Sequence, residues 1–165
     1  KLIVSRTLEV SIMILLTRFN NQTLTQNQRW KERNKWKGCV YGTRNKCGEN
    51  WEGSIVVEMN NDTNKIVGLG IITGFIPDSR RRKAWKIYDE EKYNQVVYYG
   101  KERISLGNLS SLEKNIIGVL ETLLFSGKAH SKRGNSWALP TWIVENEIID
   151  FESELKSIMN KRRSL

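Results

Sequence analysis

Two apolar, β-branched runs, at residues 55–59 and 65–72, flank Asn60-Asn61-Asp62-Thr63-Asn64. Branched side chains suit a pleated, half-buried surface, and Asn and Asp favour turns. The stretch predicts a β-hairpin, and a lone hairpin is barely stable in water. The rest of the chain has to cover it. Residues 12–19 read as a buried first strand, and shorter strand patterns lie at 38–43 and 95–99. Thr25-Gln26-Asn27-Gln28 has the spacing of a capping box, so 29–35 reads as a short, mostly exposed helix with Trp30 as its one large anchor. Ser110-Ser111-Leu112-Glu113 is a second box. Behind it Ile116, Ile117, Leu120, Leu123 and Leu124 share one helical face, and the helix stops at Ser126-Gly127. Phe151, Leu155, Ile158 and Met159 stripe a last helix, whose C-terminus carries Lys161-Arg162-Arg163.

This order predicts an α+β fold: a curved, mostly antiparallel sheet or a small barrel, with flanking helices. The 165 residues make one domain, 1–165, with no room for two large ones. Met13 reads as an internal start, which makes residues 1–12 an N-terminal extension. No internal repeat or linker interrupts the chain.

Gly68 and Gly70 stand two apart on the second hairpin strand, so alternation puts both on one face. Missing side chains there imply either close approach of a ligand or another backbone, or a bend at a barrel corner. The pair is not a dinucleotide fingerprint, because Ile71-Ile72-Thr73-Gly74-Phe75 leads to Pro77 and not into a helix.

The net charge of +9 points to a polyanionic partner: RNA, DNA or an acidic membrane surface. Arg80, Arg81, Arg82 and Lys83 form the densest basic run, followed by Trp85 and Tyr88 and then by Asp89-Glu90-Glu91. A basic loop interleaved with aromatics can hold phosphates while rings stack on bases, although Trp85 reads better as packing on the domain. Lys101 and Arg103 alternate onto one strand face. The only histidine, His130, sits in Gly127-Lys128-Ala129-His130-Ser131-Lys132-Arg133-Gly134. Here Lys132 and Arg133 read as anion ligands and His130 as a neutral hydrogen-bond donor. The plainer alternative has His130 capping the preceding helix or bonding a backbone carbonyl.

Other classes lose ground. No catalytic residue stands out: Ser131 beside His130 is no nucleophile–base arrangement, and no acidic pair is set in a catalytic motif. Cys39 and Cys47 fit no common zinc spacing and read as free thiols in a reducing compartment: cytoplasm, virus factory, virion or mitochondrial matrix. Neither a metal nor a cofactor is expected. The longest uncharged run of the N-terminal segment, 10–17, is far short of the roughly 20 residues that span a bilayer.

With early and late helices, glycine-bearing strands and a basic surface, the element order resembles the PUA-like superfamily, which includes the EVE, ASCH and YTH domains. Three segments, Lys37-Gly38-Cys39-Val40-Tyr41-Gly42, Tyr98-Tyr99-Gly100-Lys101-Glu102-Arg103-Ile104 and 127–134, are also similar to an uncharacterised family of small proteins of large DNA viruses. The PUA-like resemblance implies RNA binding and a modified-base pocket lined by Trp36, Tyr41 and Trp51; Gly68 and Gly70, read from strand alternation as a place of close approach, are counted with that pocket. Six tryptophans, Trp30, Trp36, Trp51, Trp85, Trp137 and Trp142, are available for stacking or for cores, and two or three are expected in the core. The expected partner is nucleic acid, RNA ahead of DNA. The alternative is a basic structural subunit among protein neighbours in a virion or a mitochondrial ribosome.

Overall fold

A computed structural model describes residues 13–48, 51–79, 82–134 and 136–163. The reading of 1–12 as an extension lies outside them. Seven strands and four helices follow in the order β1 (Ile14–Phe19), α1 (Asn21–Arg33), β2 (Cys39–Thr43), β3 (Ile55–Asn60), β4 (Lys65–Ile71), β5 (Gly74–Ile76), β6 (Val96–Gly100), β7 (Glu102–Ser105), α2 (Ser111–Phe125), α3 (Thr141–Val144) and α4 (Phe151–Arg163).

The expected hairpin is β3–β4. Its turn ends on Asn64 at φ 54°, a left-handed conformation that asparagine tolerates. The strands do not form one curved sheet, and they do not close into a barrel. They make two sheets, β1-β3-β4-β7 and β2-β6-β5. All ladders are antiparallel except β1 with β3, which is parallel.

The reason lies in the central strands. Five of the six residues of β1 and all six of β3 are buried, so both faces of the first sheet need cover. Alternation sends Ile14, Leu16, Ile55, Val57, Met59 and Leu69 to one side, where α2, α3 and α4 pack. It sends Leu15, Phe19 and Val56 to the other, against Trp30 and the second sheet. The molecule is therefore layered: helices, sheet, then second sheet with α1. The outer edge of β1 is covered by a returning segment. Leu16 N–H donates to the Trp137 carbonyl, Leu139 N–H donates to Ile14, and Leu15 bridges Ala138.

α1 begins earlier than its expected start. Asn20 caps it, accepting from Thr23 N–H at 2.8 Å, while the Thr23 hydroxyl accepts from Asn20 N–H. Thr25 lies inside the helix, its hydroxyl bonded to the Asn21 carbonyl four residues back. α2 matches its box, with Ser110 as cap and Glu113 reaching back. In α4 all four expected stripe residues are buried.

Candidate nucleic-acid interface

Trp30 is the buried anchor of α1, and it fixes how the helix lies. Its indole N–H donates to the Ala84 carbonyl at 3.0 Å, which ties α1 to the segment 82–86. Trp85 stacks on Trp30 at 5.4 Å between centroids and on Tyr99 of β6 at 5.6 Å. Trp36 meets Trp30, Trp85 and Tyr99 edge-on, and its N–H donates to the Cys39 carbonyl. Four rings thus join three stretches of chain. Trp36, Trp85 and Tyr99 each keep part of their surface open.

Each of those stretches carries cations. Between residues 29 and 37, Arg29, Lys31, Arg33, Lys35 and Lys37 face a single carboxylate, Glu32. Arg82, Lys83 and Lys86 flank Trp85, and Lys101 follows β6; all four are exposed. No described carboxylate pairs with any of these side chains. Lys31 is half-buried, and burial together with nearby Arg103 holds its pKa below the usual lysine value. Cations in the last turn also oppose the helix dipole, a local gain of about 0.3–1 kcal/mol each. That gain does not account for the cations of 82–86 or for Lys101.

Arg82, Lys83, Lys101 and Trp36 belong to this face, while Arg80 and Arg81 lie outside the described residues. Tyr88 of the basic loop is buried, its hydroxyl accepting from Asn27. Arg103 is turned inward: its Nε and Nη2 hold both oxygens of Glu58, at 2.9 and 2.7 Å. Glu58, 2% exposed, also accepts from the Tyr41 hydroxyl at 2.6 Å. Burial works against the Arg103 charge, yet its hydrogen bonds to Glu58 hold its pKa above the ordinary value. Burial and then Glu58 push Tyr41 well up and the Cys39 thiol up to about 12. Cys39 and Cys47 are both buried free thiols.

Gly68 and Gly70 face this cluster. A Cβ on Gly68 would meet Arg103 and Glu58, and one on Gly70 would meet Tyr41 and Cys39 inside contact distance. The space beside the glycines is filled by the chain's own side chains. Trp51 packs edge-on against Phe75 and Tyr98.

The loop 127–134 is a third unit. Gly127 takes φ 79° just past α2, and Ser131 N–H, not His130, caps the helix through the Leu124 carbonyl. His130 Nδ1 accepts from Lys132 N–H at 3.3 Å. The loop is held from outside: Arg18 Nε donates to the Ser131 carbonyl at 2.6 Å, and Asn61 donates to the Lys132 carbonyl at 2.8 Å. Arg133 is exposed and Lys132 half-buried. In the last helix, Arg162 is paired with Glu113 and Arg163 with Glu102.

The α1 cations were not singled out in the sequence. The signal is five cations to one carboxylate in and around a pair of tryptophans, Trp30 and Trp36. It was obscured because a polar helix also reads as a solvated one.

Fold and face together define a layered, two-sheet α+β domain with a basic, ring-bearing surface. Comparison with protein-family models, with curated proteins and with solved structures finds no match to this chain. No helix among the described residues is long and apolar enough to cross a membrane.

Proposed function

We propose that the chain binds single-stranded nucleic acid, RNA ahead of DNA, on the face formed by α1, the segment 82–86 and Lys101. One observation carries this reading: the three stretches that the packed rings Trp30, Trp36, Trp85 and Tyr99 tie together each carry cations that no described carboxylate pairs, and Trp36, Trp85 and Tyr99 stay partly open. Cations track a phosphate backbone, and open rings accept unstacked bases. A duplex would offer the rings no free base face. Of the PUA-like resemblance only the early and late helices about glycine-bearing strands remain in support, since the strands do not close into a barrel, and the proposed compartment is a reducing one. A second reading, a basic subunit of a large particle, draws on the exposed Trp142 and Val144 of α3 and Ile148 just beyond it, which would suit a protein neighbour.

The test is titration of a labelled single-stranded RNA dodecamer at several salt concentrations. Arg29→Ala/Arg33→Ala/Lys83→Ala should weaken binding and flatten the salt slope by about 2, since each lost phosphate contact removes about 0.7. Lys132→Ala/Arg133→Ala should cost less. Binding that ignores salt or the triple substitution would sink the reading, and a larger loss from the second pair would move the interface to the loop 127–134.

A further inference from the structure

The end of β1, the first turns of α1, the exit of β2 and residues 88–93 enclose a cleft of about 470 Å3. That size is ordinary for a small-ligand site. Its lining carries both signs of charge. Arg18 and Arg44 contribute guanidinium groups, and Asp89 and Glu90 contribute carboxylates. Arg18 is half-buried; its Nε and Nη1 are engaged by the carbonyls of Ser131 and Ser136. No described carboxylate pairs with Arg18 or with Arg44. A cation partly removed from water gains from an anion brought to it. Glu90 is tied only to exposed Lys92, at 3.3 Å, and can re-aim. Asp89 accepts from Gln26. Of the rings on the lining, Phe19 and Tyr88 are buried, whereas Tyr93 and Trp137 keep open surface.

This lining selects by exclusion. A bare anion meets two carboxylates, a bare cation meets two arginines, and an apolar ligand desolvates all four. A ligand with an anionic end, a flat body and hydrogen-bond donors satisfies every group, and a nucleotide has those three parts. The cleft is also continuous with the basic face. Gln22, Gln26 and Asp89 line it and line the adjoining shallow depression that reaches Arg29.

We infer that the cleft seats one unstacked nucleotide of the bound strand, with its phosphate on Arg18 and Arg44, its base beside Tyr93 and Trp137, and Glu90 accepting from the base edge. The inference rests on the nucleic-acid reading and adds a base preference. A carboxylate has two acceptor oxygens and no donor. Guanine presents N1–H and its amino group side by side, adenine and cytosine present an amino group, and uracil presents one N–H between two carbonyls. Guanine is therefore favoured and uracil disfavoured.

The experiment compares a twelve-nucleotide uridine strand with the same strand bearing one central guanosine. The guanosine strand should bind about tenfold tighter, the scale of one seated base. Arg44→Ala and Tyr93→Ala, both at exposed residues, should each abolish that ratio. Arg29→Ala/Arg33→Ala should weaken both strands and leave the ratio intact. Equal affinities for the two strands, or a ratio that survives both cleft variants, overturns the inference and leaves the basic face standing. If neither strand binds at low salt, the nucleic-acid reading fails, and guanosine monophosphate titrated alone decides the cleft. Binding lost in Tyr93→Ala supports a nucleotide site; no binding overturns it.

Discussion

Gly68 and Gly70 owe their identity to what lies opposite. Gly68 pairs in register with Glu58, and Gly70 sits under the Tyr41 hydroxyl. A methyl at Gly70 would press on backbone-anchored groups in a packed interior, where overpacking typically costs about 1–3 kcal/mol. Gly118, in the middle of α2, offers the contrast, because nothing beyond its chain neighbours and its own helix backbone lies within 4 Å of its would-be Cβ. Gly70→Ala should lower the urea midpoint, while Gly118→Ala should raise it by an amount corresponding to about 0.5–1 kcal/mol. A Gly70→Ala protein as stable as wild type would show that the Glu58 cluster can give way. The glycine pair was legible as a place of close approach. What approaches was not, because Glu58, Tyr41 and Arg103 come from three strands and meet only once the sheets are stacked.

At the scale of the element, α2 and α4 are joined end to end by one carboxylate. Glu113 accepts from Ser110 N–H, and it pairs through both oxygens with Arg162 of α4, at 2.8 and 3.0 Å. Hydrogen bonds from Arg162 and then from the Ser110 backbone lower its pKa from 4.5 to about 2. A depressed carboxylate binds fewer protons folded than unfolded, so stability rises with pH across that interval. Its contribution is complete above pH 4.5 and is lost as the pH falls towards 2. Glu113→Gln should flatten that limb of the stability–pH curve, as followed by circular dichroism during urea unfolding. An unchanged limb would mean that other carboxylates dominate acid unfolding. Elements such as α2, α4 and the β3–β4 hairpin were readable because cap, turn and stripe lie within a few residues of one another. The start of α1 is hidden for a local reason: Asn20 follows β1 without a linker, and Thr25, three residues before Gln28, mimics a cap while its hydroxyl bonds back along the helix.

For the whole molecule, charge and architecture were unequally legible. The net charge of +9 is additive and needs no fold. The parallel β1–β3 ladder joins strands separated by α1 and β2, and no local pattern encodes it. The doubly buried pattern of β1 and β3 was the available sign that a second layer would cover the first sheet. The charge predicts two salt responses of opposite sign. Screening over a Debye length of about 8 Å at physiological salt relieves self-repulsion, so the thermal midpoint should rise as salt is added from a low level. Over the same range affinity for a single strand should fall. Differential scanning fluorimetry and anisotropy on one salt series compare them. A midpoint that falls in step with affinity would mean that ion pairs outweigh the excess positive charge.

The returning segment at 137–139 has a consequence in time. β1 is among the first parts of the described chain to leave the ribosome, yet the groups that close its outer edge and hold Arg18 come far later. Arg18 and its two carbonyl partners are 113 and 118 residues apart in sequence. At about 5–20 residues per second, translation leaves that edge unpaired for several seconds or longer. Long-range pairing of this kind also slows refolding, because loop closure has to precede any reward. The chain thus passes through a period in which an apolar strand with an open edge waits for its own C-terminal portion. In that window a neighbouring nascent chain competes for the same hydrogen bonds, and folding yield depends on how crowded those chains are.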